Sequence, residues 1–186
     1  YLKFMTVQIN YINSGLTKTL RNLVLFVDEK FNISGLKKHV STNEFSYISD
    51  LLKTSDLKKE LIVFEVNSKK KIILISIKKD LKAFEAENLG AKFFTQINFG
   101  EKNQYFVNTD NITSKIENFV GYFLHGLKLK SYEFDIYKSK KKSRFISINV
   151  SGSKNKISNQ KQLEFKALEE GTFFARDLVS EPGNIL

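Results

Sequence analysis

Strand-length apolar runs alternate with helix-periodic stretches along the sequence, and this alternation confines the chain to the α/β class. Residues 22–28 (NLVLFVD) are apolar enough to form a strand inside a sheet. Residues 61–66 and 71–77 are β-branched runs whose polar connection is short enough for a hairpin, which makes the sheet mixed. With further strands at 4–10, 104–108 and 144–150, the sequence predicts an α/β sandwich in which a mixed sheet of about six strands lies between helical layers.

Four stretches have the apolar spacing of amphipathic helices. They lie around 45–52, over about 80–97 and 112–127, and from Ser158 onward. The last has so broad an apolar arc that it predicts a helix packed on two sides, between two domains. Its stripe consists of Leu163, Ala167, Gly171, Phe174 and Leu178, widened by Phe165, Leu168, Thr172 and Val179.

The end of this last helix indicates a domain boundary. Pro182 and Gly183 stop the helix, because proline disfavours helical geometry in the residue before it. The apolar pair Ile185 and Leu186 follows, as at the start of a new element. We therefore expect an N-terminal α/β domain over 1–157, and a linker helix with the start of a further domain over 158–186.

The net charge of +10 is concentrated in one part of the chain. Residues 128–161 contain ten basic and two acidic side chains, and the densest patch is flanked by aromatic residues, a pattern that can bind phosphates and stack bases. However, 27 of the 30 basic residues are lysine, and arginine is the better phosphate ligand. A solvated lysine-rich surface is therefore favoured, and nucleic-acid binding stays open as an alternative. The patch consists of Lys138, Lys140, Lys141, Lys142 and Arg144.

Composition also limits where the protein works. The sequence has no cysteine, which excludes disulfides and thiolate chemistry and fits a reducing compartment. Its apolar runs are of strand length, far below the ~20 residues of a spanning helix. We expect a cytoplasmic protein without a membrane partner.

Residues for catalysis are scarce. The two histidines, His39 and His125, have no second ligand at metal-binding spacing, and His125 is expected to be solvated on the face of its helix opposite the apolar stripe. The carboxylate pairs Glu85/Glu87 and Glu169/Glu170 indicate helix-surface charge. The turn at 78–80 lacks the glycines of a phosphate loop. No catalytic, cofactor-binding or metal-binding residue is predicted in this chain.

Two boxes in the sequence resemble the leucine aminopeptidases, also called cytosol aminopeptidases. The first, SYEFDIYKSKKK over 131–142, contains a Tyr-x-Phe-Asp-x-Tyr-Lys pattern, and the second, GTFFARDLVSEPGNIL over 171–186, contains Ala-Arg-Asp-Leu-Val and Pro-x-Asn. Ser180 and Glu181 depart from the residues more usual before the proline. The matching positions are Tyr132, Phe134, Asp135, Tyr137, Lys138, Ala175, Arg176, Asp177, Leu178, Val179, Pro182 and Asn184.

The resemblance implies a two-domain, metal-dependent exopeptidase that releases N-terminal residues from peptides. Two divalent ions, manganese or zinc, would serve the full-length enzyme, whose metal ligands lie in a C-terminal catalytic domain. This chain would then be the non-catalytic N-terminal domain, inactive by itself, with a macro-domain-like three-layer fold and a long C-terminal linker helix. Its implied partners are its own catalytic domain, the other subunits of a homo-hexamer and peptide substrates.

Two alternatives accompany this prediction. A macro-like module could bind a nucleotide or ADP-ribose, although the missing glycine-rich loop counts against it. The basic patch could give an accessory role in DNA binding. Both boxes also allow a purely structural interpretation, in which their aromatic residues pack and Arg176 and Asp177 pair with neighbouring segments.

Overall fold

The computed structural model describes residues 7–12, 22–97, 103–134, 137, 145–153 and 155–183. Within them the chain alternates strands and helices, as the sequence predicts. The elements are β1 (Val7–Ile12), β2 (Asn22–Val27), a short 3-10 helix (Ser34–Lys38), α1 (Thr42–Thr54), β3 (Leu61–Asn67), β4 (Lys70–Ser76), α2 (Ala83–Gln96), β5 (Asn103–Asn108), α3 (Phe119–Lys130), β6 (Ile146–Ser151) and α4 (Asn159–Ser180).

The six strands form one mixed sheet in the order β1-β6-β5-β2-β4-β3. Neighbouring strands are parallel except for β3 and β4, which pair antiparallel. The predicted hairpin is therefore confirmed. Strand β2 lies between β5 and β4, which explains why its sequence is a continuous apolar run.

Helices cover the sheet on two sides and create two apolar cores. One core combines α2 and α3 with the inward side chains of the sheet, among them Val24, Phe26 and Ile148. The other lies under the 3-10 helix and α1, around Leu25 and Leu74. The alternation of side chains in a strand assigns Leu25 and Phe26 to opposite cores. The predicted sandwich of helices and a six-stranded mixed sheet is confirmed.

Local signals explain where α1 begins. The Ser41 hydroxyl accepts a hydrogen bond from the backbone N–H of Glu44, and the Glu44 carboxylate accepts one from the backbone N–H of Ser41. This reciprocal capping box satisfies two helix-start donors. Lys70 on β4 reaches the same Glu44 carboxylate at 2.8 Å, and the capping box thereby ties the helix to the sheet.

The predicted helix over 112–127 is wrong at its start. Helix α3 begins at Phe119, because Asn118 before it has a left-handed backbone (φ 57°) that a continuous helix cannot contain. Ile112 and Ile116 still pack against the core, but from an irregular connection. Residues 4 and 144, where two strands are predicted to start, lie outside the described residues, and the described strands begin at Val7 and Ile146.

Candidate functional site

Helix α4 is the longest helix described, and its ends follow from the sequence. The Ser158 hydroxyl accepts a hydrogen bond from the backbone N–H of Lys161, which caps the first turn. At the other end the helix stops one residue before the Glu181-Pro182 pair. It packs against α3, and none of its side chains is fully buried.

The inner face of α4 meets α3 through aromatic rings. Phe165 lies over the backbone of Gly121, where any β-carbon would come within 2.2 Å of its ring. Its ring centroid is 5.3 Å from that of Tyr122 and 5.5 Å from that of His125. The small residue on α3 thus lets the two helices approach closely.

One turn before the end of α4, the two family-like boxes contact each other. The Arg176 guanidinium donates a hydrogen bond of 2.7 Å to the Leu129 carbonyl near the end of α3 and lies 5.4 Å from the Tyr132 ring centroid. The Tyr132 hydroxyl donates to the Asp177 carboxylate at 2.7 Å, and its ring packs on Phe173. Burial and the Asp177 carboxylate raise the pKa of Tyr132. These contacts agree with the structural interpretation of both boxes.

Removing the Arg176 side chain should loosen α4. A hydrogen bond from a charged donor contributes about 1.5–3 kcal/mol, and the cation-π contact adds to it. We expect hydrogen exchange of the α4 amides to become faster in Arg176→Ala, while exchange in the sheet stays unchanged. Lys166→Ala is the matched control, since Lys166 lies exposed on the same helix with only a 3.8 Å contact to Glu170. Equal exchange in the two variants would contradict the role given to Arg176.

A group of ionisable side chains lies in the contact between α3, α4 and β1. Lys128 is buried, and its ammonium donates to the Val7 carbonyl at 2.5 Å. Burial lowers the pKa of Lys128 and raises the pKa of Glu169. The charge of each residue opposes this shift, because it favours the ionised form of the other. Burial, followed by the Glu169 charge, raises the pKa of Tyr11 to about 12. Desolvation therefore outweighs the attraction between the two charges at both Lys128 and Glu169.

Two sequence predictions about this region are wrong. His125 is buried, with its Nδ1 atom 2.9 Å from the Glu87 carboxylate, because α4 covers the face of α3 that was expected to be solvated. Glu169 is half-buried and not a surface charge. The sequence shows Lys128 among the apolar residues of α3 and Glu169 on α4. That the two residues lie near each other can be recognised only once α3 and α4 are known to pack together.

The outer face of α4 is apolar and exposed. The predicted stripe faces solvent: Phe174 is 65% exposed, and a β-carbon on Gly171 would meet nothing within 4 Å. Val179, on the flank of the stripe, is 87% exposed. Five large apolar residues of α4 are exposed, and together we call them the outer apolar face. They are Leu163, Leu168, Phe174, Leu178 and Val179. Single exposed apolar residues are common, but a contiguous face usually marks an interaction site.

The described residues contain neither a metal site nor a membrane helix. No group of three or more histidines or carboxylates among them is arranged to hold a metal ion, so their donor sets do not fit one. None of the described helices combines the length and the apolar character needed to cross a membrane. The basic patch at Lys138, Lys140, Lys141, Lys142 and Arg144 lies outside the described residues and stays a prediction.

Comparison with known proteins connects this architecture with one family. The chain is 39% identical over 61 residues to a probable cytosol aminopeptidase of Dinoroseobacter shibae, an alignment that covers 33% of this chain and 12% of that relative. A tomato leucine aminopeptidase mutant has the same fold over 97% of this chain, with a TM-score of 0.72 and 14% identity. This chain is similar to the N-terminal region of the leucine aminopeptidases. The predicted resemblance is confirmed.

Two further solved structures share the fold. A cytosol aminopeptidase from Coxiella burnetii matches 92% of the chain with a TM-score of 0.58 and 11% identity, and the bottromycin maturation enzyme BotP, solved in complex with manganese, matches 86% with a TM-score of 0.58 and 12% identity. The chain spans 39%, 33% and 32% of the tomato, Coxiella and BotP proteins. No protein-family profile matches the sequence. More than half of each of these three proteins therefore lies beyond the shared fold.

Proposed function

We propose that this chain is the non-catalytic N-terminal domain of a metal-dependent aminopeptidase and that α4 is the element on which the catalytic domain docks. The observation that carries the proposal is the outer apolar face of α4. In a chain that works alone, such a face would remain in contact with water.

The way α4 is attached supports this role. Arg176, Tyr132 and Asp177 fix the last two turns of α4 to the end of α3. A helix held in this way presents Phe174 and Leu178 in a defined direction, close to the point where the chain leaves the helix. A rigid, preorganised apolar helix face loses little entropy when a second domain packs on it.

Hydrolysis belongs to the docked domain in this proposal. The Dinoroseobacter, tomato and Coxiella proteins are named aminopeptidases and are much longer than the shared fold, and BotP was solved in complex with manganese. The residues described here offer no donor set for a metal. The full-length protein would then be a cytoplasmic hydrolase that uses two divalent ions, manganese or zinc, to release N-terminal residues from peptides, and its subunits would assemble as a hexamer.

The nucleotide alternative is not favoured. The alignment and the fold both match aminopeptidases. Accessory DNA binding through residues 138–144 stays a prediction, since none of those residues is described.

The test compares the 186-residue chain with the product of its complete coding sequence. We expect the complete protein to hydrolyse leucyl p-nitroanilide when manganese is added, and the 186-residue chain to show no turnover. Metal-dependent turnover by the pure chain would overturn the non-catalytic assignment.

A variant pair tests the docking face separately. Phe174→Asp in the complete protein should weaken packing between the domains at least tenfold, because burying a phenylalanine side chain contributes about 1.5–3 kcal/mol. The measurement is hydrogen exchange of the α4 amides in the complete protein. Phe84→Asp is the control, since Phe84 is also an exposed phenylalanine on a helix. If both variants exchange like the unmodified protein, α4 is not the docking element.

A further inference from the structure

A cleft lies between β2 and β5, where the connections that follow the two strands leave on opposite faces of the sheet. Strands β2 and β5 are parallel neighbours. The chain leaves β2 toward the 3-10 helix and α1 on one face of the sheet, and it leaves β5 toward α3 on the other. In open α/β sheets, ligands bind in the crevice at the carboxyl ends of two strands that diverge in this way.

The cleft at this position has the size of a small-molecule site. Its volume is about 520 Å³, within the range of roughly 300–1,000 Å³ that is usual for ligand pockets. It lies against the carboxyl end of β2 and the segment that follows β5. Its apolar lining among the described residues consists of Leu25, Phe26, Val27, Ile33, Leu36, Leu74 and Ile112.

Carboxylates from both strand ends line the same cleft. Asp28 follows β2, and Asp110 follows β5. The Asp28 Oδ1 atom accepts hydrogen bonds from the backbone N–H groups of Lys30 (3.1 Å) and Asn32 (2.9 Å). These bonds fix the loop after β2 and leave Oδ2 facing no hydrogen-bond donor among the described residues. Two acidic groups at one cleft contrast with the net charge of +10 of the whole chain.

The wall formed by the loop after β5 is also fixed by hydrogen bonds. The Asp110 carboxylate accepts hydrogen bonds from the backbone N–H (2.7 Å) and the hydroxyl of Ser153, which ties the loop after β6 to the loop after β5. Gly35 packs so closely on Asn111 that a β-carbon there would lie 2.5 Å from the amide nitrogen. The two walls therefore touch at Gly35 and Asn111.

We propose that this cleft binds a small aliphatic primary amine, such as an apolar amino acid amide. The ammonium group would lie near the carboxylates of Asp28 and Asp110, and the aliphatic part would cover the apolar lining. A phosphate or a free carboxylate at the same place would be repelled by the two negative charges. Lys38 is the one lysine among the described residues that line the cleft, and it would contact the carbonyl end of an amino acid amide.

The test uses leucinamide and isoamylamine as probes and follows the backbone amide signals of the 186-residue chain by NMR. Both amines should shift the signals of residues around 28–38 and 110–113 at concentrations up to about 10 mM, the range of weak single-site binding. Asp28→Asn should reduce the affinity about tenfold. The asparagine keeps the Oδ1 acceptor that fixes the loop and removes only the charge.

A matched variant and two other ligands complete the experiment. Asp56→Asn is the control, because Asp56 also accepts a backbone hydrogen bond two residues ahead, at 3.1 Å, but does not line the cleft. It should leave the affinity unchanged. Equal binding of 4-methylpentanoate, preferential binding of a nucleotide, or no shift with either amine would each overturn the proposal. None of these outcomes bears on α4, and the proposed function is tested independently.

Discussion

Gly90→Ala should destabilise the chain by about 3 kcal/mol or more, because a β-carbon there would lie 1.8 Å from the Phe123 carbonyl oxygen. A β-carbon on Gly126 of α3 would in turn lie 1.9 Å from the Glu87 carbonyl oxygen. Both neighbours are backbone atoms, so neither can move aside as a side chain would. The two glycines thus allow the backbones of α2 and α3 to come into direct contact where the helices cross. Urea unfolding followed by circular dichroism measures the loss, and Gly126→Ala should behave in the same way.

Gly171→Ala is the control for this prediction. Gly171 also lies inside a helix, but its β-carbon position is open. Alanine favours helices over glycine by about 0.5–1 kcal/mol, so this variant should be slightly more stable than the unmodified chain. Similar stabilities for Gly90→Ala and Gly171→Ala would show that the close helix crossing does not exist in solution.

The second large effect is expected from Phe123→Ala. Phe123 is 0% exposed, and its ring meets Phe26 edge-on at 5.3 Å and Phe93 at 5.7 Å. Removing a buried phenylalanine leaves a cavity and costs about 3–5 kcal/mol. The urea midpoint should fall accordingly, and the near-ultraviolet signal of the aromatic cluster should weaken.

Phe84→Ala separates this packing effect from a general effect of losing an aromatic residue. Phe84 is 57% exposed on α2, so its removal should change the free energy of unfolding by no more than about 0.5 kcal/mol. If Phe123→Ala were as mild as Phe84→Ala, the core between the sheet and the two helices would be packed differently from the structure described here.

Much of the fold follows from local patterns. The continuous apolar run of β2, the polar turn between β3 and β4 and the apolar periods of α1, α2 and α4 each predict their element. The start of α3 does not follow from its pattern, because Ile112 and Ile116 continue the helical spacing while packing from an irregular segment. A periodic pattern indicates which side chains are buried. It does not predict the left-handed backbone of Asn118, after which the helix begins.

The candidate site was only partly predictable, because its contacts join residues that are far apart in the sequence. The sequence identifies an apolar stripe on α4 and two family-like boxes, and it indicates that Arg176 and Asp177 have a packing role. It cannot tell that Arg176 reaches the carbonyl of Leu129, or that Tyr132 and Asp177, separated by 45 positions, form a hydrogen bond. Those contacts depend on how the end of α3 and the end of α4 come together in space.

The sequence by itself determined the class of fold, the mixed sheet and the resemblance to the leucine aminopeptidases, because these depend on local spacing and on short boxes of residues. The tertiary structure alone decided which side of α4 is covered. Its aromatic and charged side, with Phe165, Glu169 and Arg176, packs on α3, while the more regular apolar stripe faces outward. Helical periodicity defines the faces of a helix but not its neighbours, and a charged residue such as Glu169 becomes half-buried when another helix packs on its face.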